Sequence, residues 1–210
     1  MKTILRSGSG MRGSDRGGWA ARWWGVGCGF ACLLLGACSS TPTPMSDPIA
    51  DYAAVISELE GAGSAGPAER RAGVERWKRL VGDFSQSNLE GNVAGVYAED
   101  AFFNDTLKTL GGAEAIEAYL LETAEMLNYG TVEFEDEAIS GDDVYVRWKM
   151  VYRSKVLSKR QDIVTIGMTH LRFDVDGKVV LHQDFWDSTR GVFEHVPVVG
   201  AGIRLVKGRL

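Results

Sequence analysis

The sequence predicts an α+β fold, with helices packed on one face of a curved antiparallel sheet and a helical C-terminal tail. Two observations carry this. Apolar residues recur at helical spacing from Val74 to Leu127, then switch to strict alternation from Val132 onward. The order is helices first, then a meander of long strands punctuated by turn signals, which separates the helices from the sheet rather than interleaving them. No internal repeat interrupts this order.

The chain opens on a leader. Lys2, Arg6, Arg12, Arg16 and Arg22 form a basic segment, and the uncharged stretch Trp23 to Ala37 follows. That stretch is too short to span a bilayer as a stable helix and ends in small residues, as a cleaved signal peptide does. Leu35-Gly36-Ala37-Cys38 resembles the lipobox of bacterial lipoproteins, which implies a signal peptide over residues 1–37 and acylation of Cys38. Ser39 after the cysteine resembles an outer-membrane address, so the expected location is the cell envelope, lipid-anchored and facing the periplasm. Cys28 and Cys32 leave with the leader, and no disulfide is expected. The leader also holds five of the 23 basic and one of the 28 acidic residues, so the remainder carries 18 against 27, a net charge of −9. An envelope so acidic excludes nucleic-acid binding through bulk electrostatics.

Residues 38–66 read as a tether. Pro42, Pro44 and Pro48 resist packing, a short helix is possible over Ile49 to Leu59, and Gly61 to Gly66 breaks it. Pro67 opens the first firm helix, with Val74, Trp77, Leu80, Val81 and Phe84 in phase. A second, shorter helix carries Leu89, Val93, Val96 and Tyr97. A third follows Gly111-Gly112 with Ile116, Tyr119, Leu120, Thr123 and Leu127 on one face. Strands follow at Val132–Phe134, at Val144–Tyr152 and over Ile163–Phe173. Asp174 to Gly177 makes a hairpin turn, and Lys178 to Asp187 returns as the last strand. The tail, residues 191–210, is apolar with a basic end. It reads as a helix packed on the domain, with a membrane-surface contact as the alternative.

Leu89 to Tyr97, Ala98-Glu-Asp-Ala-Phe-Phe-Asn-Asp105, Gly111 to Ile116, Met168 to Phe173 and Lys178 to Trp186 resemble, in order and spacing, the nuclear-transport-factor-2-like superfamily. Within it they are similar to SnoaL-like and ketosteroid-isomerase-like proteins. The resemblance covers residues 67–190 and implies a cone, with helices on the concave face of the bent sheet and a pocket open at one end. In the isomerases an Asp base works beside a Tyr and a protonated Asp that stabilise an enolate. The base position falls on Asp105. The protonated Asp falls on Thr169 and the Tyr near Trp77 or Leu80, so two of the three groups are absent.

The sequence offers His182, Asp184 and Trp186 instead. Alternation puts them on one strand face, which the resemblance turns towards the pocket. Asp105, Asp184 and His182 are therefore the candidate catalytic residues. Each has a plainer reading: Asp105 capping a turn, and His182 holding Asp184 in place. Trp148, Tyr152, Thr169, Trp186 and Phe103 are candidate ligand-binding residues, equally readable as core or pocket wall. His170 is one residue out of phase with Thr169 and points outward. With Val164, Ile166 and Met168 it marks an apolar outer stripe suited to a homodimer contact or to cover by the tail. Glu133, Glu135 and Glu137 read as a solvated face. No ligand set for a metal, no phosphate loop and no cofactor motif is present.

Three readings of function follow. A lipid-anchored module holds an apolar small molecule or lipid in the cone. Alternatively, a SnoaL-like enzyme of isomerase, cyclase, dehydratase or hydrolase type moves a proton with its pocket Asp and His. In the third reading the cone is filled and the protein is a structural subunit. An apolar cavity, converging carboxylates in an open one, and a filled interior are the respective signatures.

Overall fold

Period-two alternation becomes six strands in the computed structural model, which describes residues 47–157 and 160–210. The leader, Cys38 and the start of the tether lie outside these residues. The strands are β1 (Tyr97–Asn104), β2 (Thr109–Gly111), β3 (Leu127–Ser140), β4 (Asp143–Ser154), β5 (Ile163–Phe173) and β6 (Val179–Trp186). They lie in the order β2-β1-β6-β5-β4-β3, so the curved sheet does not close. All neighbours are antiparallel except β1 and β6, which run parallel.

The helices are α1 (Pro48–Leu59), α2 (Pro67–Val81), α3 (Gln86–Leu89), α4 (Ala113–Met126), α5 (Ser188–Gly191) and α6 (Pro197–Lys207). Asp47 caps α1 by accepting from the Ile49 amide at 3.0 Å, and Pro48 fills the first position, where no N–H is needed. α2 opens in the same way on Pro67 and turns Val74, Trp77, Leu80 and Val81 into the core. α4 contributes Ile116, Leu120 and Ala124. These meet Val144, Val146, Leu171 and Phe173 from the concave face of the sheet. Every buried hydrophobic residue among those described lies between Ala65 and Leu181. Residues Ser46–Leu210 are thus a compact unit with a complete core of their own.

Four expectations change. The expected second helix is only α3 followed by a 3-10 turn at Val93–Gly95, and Tyr97 starts β1. Gly91 at φ 73° and Gly95 interrupt the run, and Tyr97 pairs with Val179 across a bulged register. Leu127 likewise leaves the helix and opens β3. His170, on the outer face as expected, is not exposed there but buried under α1. Tyr52 donates to its Nδ1 at 2.8 Å, its Nε2–H donates to Asp143 at 2.7 Å, and Tyr145 stacks on the ring at 4.6 Å. Val164, Ile166 and Met168 stay exposed beside it. Finally, the tail is helical, yet α6 leaves Val198, Val199, Leu205 and Val206 exposed; Gly200 is buried and Ile203 half-buried.

Candidate active site

The last strand places His182 and Asp184 on the concave face because they are two residues apart. His182 is buried and Asp184 half-reaches solvent at the end of the sheet. His182 Nε2 lies 3.0 Å from Asp184 Oδ1, and Tyr97 Oη lies 2.8 Å from His182 Nδ1. Trp77 Nε1 donates to the same Nδ1 at 3.4 Å. An indole N–H can only donate, so Nδ1 is the acceptor and Nε2 carries the proton towards Asp184. The imidazole is locked by rings: Phe103 at 4.6 Å, Trp77 at 5.7 Å and Tyr97 stacked at 6.0 Å.

Thr169 faces Asp184 across the β5–β6 pair, and its hydroxyl donates to Asp184 Oδ1 at 2.5 Å. Trp148 Nε1 donates to that hydroxyl at 2.9 Å, which fixes its direction. Both described bonds to the Asp184 carboxylate therefore fall on Oδ1, and its backbone carbonyl accepts from Gln183. Trp77 and Thr169 both spend their N–H or O–H on the His182–Asp184 pair.

Asp105 follows β1 directly and stands beside this pair, because Asn104 is in register with Gln183. Its Oδ1 accepts from the amides of Leu107 and Lys108, so it does cap its turn. Its Oδ2 accepts from Tyr119 at 2.5 Å, and its carbonyl accepts from Trp186 Nε1 at 2.7 Å. Burial pushes the Asp105 carboxyl above the usual carboxylate range. The Tyr119 hydroxyl and the two amides oppose this, and the nearby Asp184 charge adds to it. Tyr119 is itself raised by burial and by the Asp105 charge beside it, so it remains a donor.

The candidate ligand-binding residues are tied to protein partners. Phe103 and Trp148 are buried. Tyr152 is buried too, its hydroxyl pushed up to about 12 by burial, and it donates to the Gly191 carbonyl at 2.5 Å. Gly191 in turn sits on the Trp186 ring. Two cavities, of about 370 and 460 Å³, lie elsewhere: one beside Lys78 and Phe134, the other between Phe84 and Tyr129. Neither is lined by Asp105, His182 or Asp184. Among the described residues no cluster of three metal-ligating side chains occurs.

Two members of the site escaped the sequence reading. By spacing alone Tyr97 falls on a helix face and Tyr119 on a core position of α4. The usable signal for Tyr119 was its place on the α4 face that meets β1; Tyr97 offered none, because its position depends on the bulge.

The sequence model of the SnoaL-like domain family matches residues 74–182. No curated protein matches the chain. Among solved structures, a Catenulispora acidiphila DSM 44928 protein with a ketosteroid isomerase-like fold, in complex with trimethylamine, is 18% identical. The match covers 57% of this chain and 88% of that one at a TM-score of 0.50. TsrD from Streptomyces laurentii is 13% identical over 65% of this chain and 98% of that one, also at 0.50. A putative SnoaL-like polyketide cyclase from Shewanella denitrificans OS-217 is 20% identical over 60% and 94%, at 0.49. At these identities the likeness is one of fold.

Proposed function

Because the chain belongs to the SnoaL-like domain family, we propose that it is an acid–base enzyme that moves a proton on an apolar small molecule at the open end of the sheet. The observation that carries this reading is the pairing of two carboxylates in different states of support. Asp105 is buried, beside a second acid, and its affinity for a proton is raised. Asp184 is held through one oxygen by Thr169 and by the Nε2–H of His182. In this reading Asp105, the more deeply buried acid, gives the proton and Asp184 takes one. His182 is a positioning residue: it is buried among Trp77, Tyr97 and Phe103 and acts through its bond to Asp184.

A carrier of large apolar ligands is supported less well. The interior beneath the sheet is occupied by Trp77, Tyr97, Phe103 and Leu181, all buried. A filled interior is also what the structural-subunit reading expects; the enzyme reading is favoured over it by Asp105 and Asp184 standing close enough to feel each other's charge, and it takes a small substrate. Anchoring through Cys38 belongs to the same proposal and puts the site at a membrane.

The test is hydrogen exchange at the α-carbon of small cyclic ketones and enones in D₂O, followed by NMR with the Ser46–Leu210 unit. Exchange above the buffer rate, lost in Asp184→Asn and in Asp105→Asn by about a hundredfold or more, is expected. Exchange that matches buffer across the panel, or that survives both substitutions, would overturn the reading.

A further inference from the structure

We propose that α6 is a membrane-surface element that lies in the plane of a bilayer containing anionic lipid, independently of the reaction at the sheet. The helix is amphipathic and faces the wrong way for a core. Arg204 Nη1 donates to the Glu194 carbonyl at 3.2 Å, and Lys207 Nζ pairs with the Glu194 carboxylate at 2.5 Å. Gly200 lies against the same Glu194 carbonyl, so closely that a Cβ would collide with it. These three residues fall within about 60° of the helix circumference. The polar edge thus ties α6 to the preceding turn.

The apolar edge is left outside. Val198 is 85% exposed, Val199 46%, Leu205 57% and Val206 59%. At about 100° per residue they occupy an arc of about 120° opposite the Glu194 contacts. A soluble domain gains nothing from holding four aliphatic side chains outward by their polar neighbours.

Charge identifies the occupant. No Asp or Glu follows Glu194, whereas Arg204, Lys207 and Arg209 do, in a chain whose pI is about 5.3. The segment is a local cationic, apolar exception on an acidic protein, which is the composition that anionic bilayer surfaces attract. A second copy docked on the same face would bring two sets of these cations together, which opposes pairing. Among the described residues no helix is long and apolar enough to cross a membrane. At 11 residues α6 is about 16 Å long and would lie flat. The anchor proposed at Cys38 would hold the chain near such a surface.

The experiment is co-sedimentation of the Ser46–Leu210 unit, which has its own core, with two kinds of vesicle: phosphatidylcholine alone, and phosphatidylcholine with phosphatidylglycerol. Light scattering is run in parallel. Binding is expected only with phosphatidylglycerol present. Leu205→Glu with Val206→Glu should lower it by about tenfold or more, with an unchanged melting curve because neither residue enters the core. Arg209→Glu should also weaken it. No sedimentation with either vesicle overturns the proposal, as does equal sedimentation of wild type and double variant. A dimer in light scattering that the double variant abolishes, without vesicle binding, assigns the face to a second copy and overturns it too.

Discussion

His182 is fixed by Trp77, whose N–H can only donate and so settles which imidazole nitrogen holds the proton. Replacing Trp77 would free the tautomer as well as open the core. Asp105 makes a prediction about pH. Its carboxyl is raised in the folded chain, first by burial and further by Asp184, despite the Tyr119 bond. A carboxyl with a raised native value binds its proton more tightly folded than unfolded. Its contribution to stability is therefore present below the ordinary carboxylate range and is lost as pH rises through the raised value. Asp105→Asn keeps an oxygen for the two turn amides and removes this titration. Urea melts of the Ser46–Leu210 unit between about pH 4 and about pH 7 should show wild type losing more stability with rising pH than the variant. Parallel curves would remove Asp105 as the titrating group.

At the scale of elements, β5 is the strand that the site is built on. Gly167 stands in register between Trp148 on β4 and Trp186 on β6. A Cβ there would lie 2.5 Å from Trp148 Cη2 and 2.8 Å from Trp186 Cβ. The glycine thus lets two indoles close over the middle strand, one reaching Thr169 and the other Asp105. Gly167→Ala should cost about 1–3 kcal/mol by overpacking and displace both indoles. Chemical denaturation measures the first effect and tryptophan fluorescence the second; an unchanged midpoint and spectrum would sink the account. Alternation puts His182 and Asp184 on one face of β6, and the family resemblance turns that face inward; that Thr169 meets Asp184 there is carried by neither. Alternation gave no access to Tyr97, because a bulge breaks the period that the reading depends on. The α1 cover was hidden for another reason. Tyr52 and His170 are 118 residues apart, and no local pattern joins them.

At the scale of the whole molecule, two features carry the membrane proposals: the lipobox-like sequence ending at Cys38, which lies outside the described residues, and the outward face of α6. A single acyl chain holds a protein only marginally, so several chains on Cys38, or a chain together with a surface helix, make a lasting attachment. Cys38→Ala in cells should block acylation, leave the leader uncleaved and raise the apparent mass. Metabolic labelling with a fatty acid reads the first effect and a gel the second. Label that persists on the variant, or a mass that does not change, would refute the anchor. Val164, Ile166 and Met168 remain an exposed stripe beside α1, and the self-association expected of them stays a proposal.

The sequence by itself determined the order of helices and strands, the two facing periods and the acidic, cationic-tailed charge distribution. Each of these is set by residues within one turn or one strand of each other, and elementary periodicity reads them. It also brought His182 and Asp184 to one face and placed Asp105 at a strand end. Only the tertiary structure decided which partners complete the site: Tyr97 and Trp77 on His182, Thr169 on Asp184, Tyr119 on Asp105. It also decided that the interior is filled by rings rather than open, and that α6 turns its aliphatic side chains away from the core. These outcomes depend on volumes and hydrogen bonds summed between segments distant in the chain, and a hydroxyl or an indole N–H carries no mark in the sequence of the acceptor it will find.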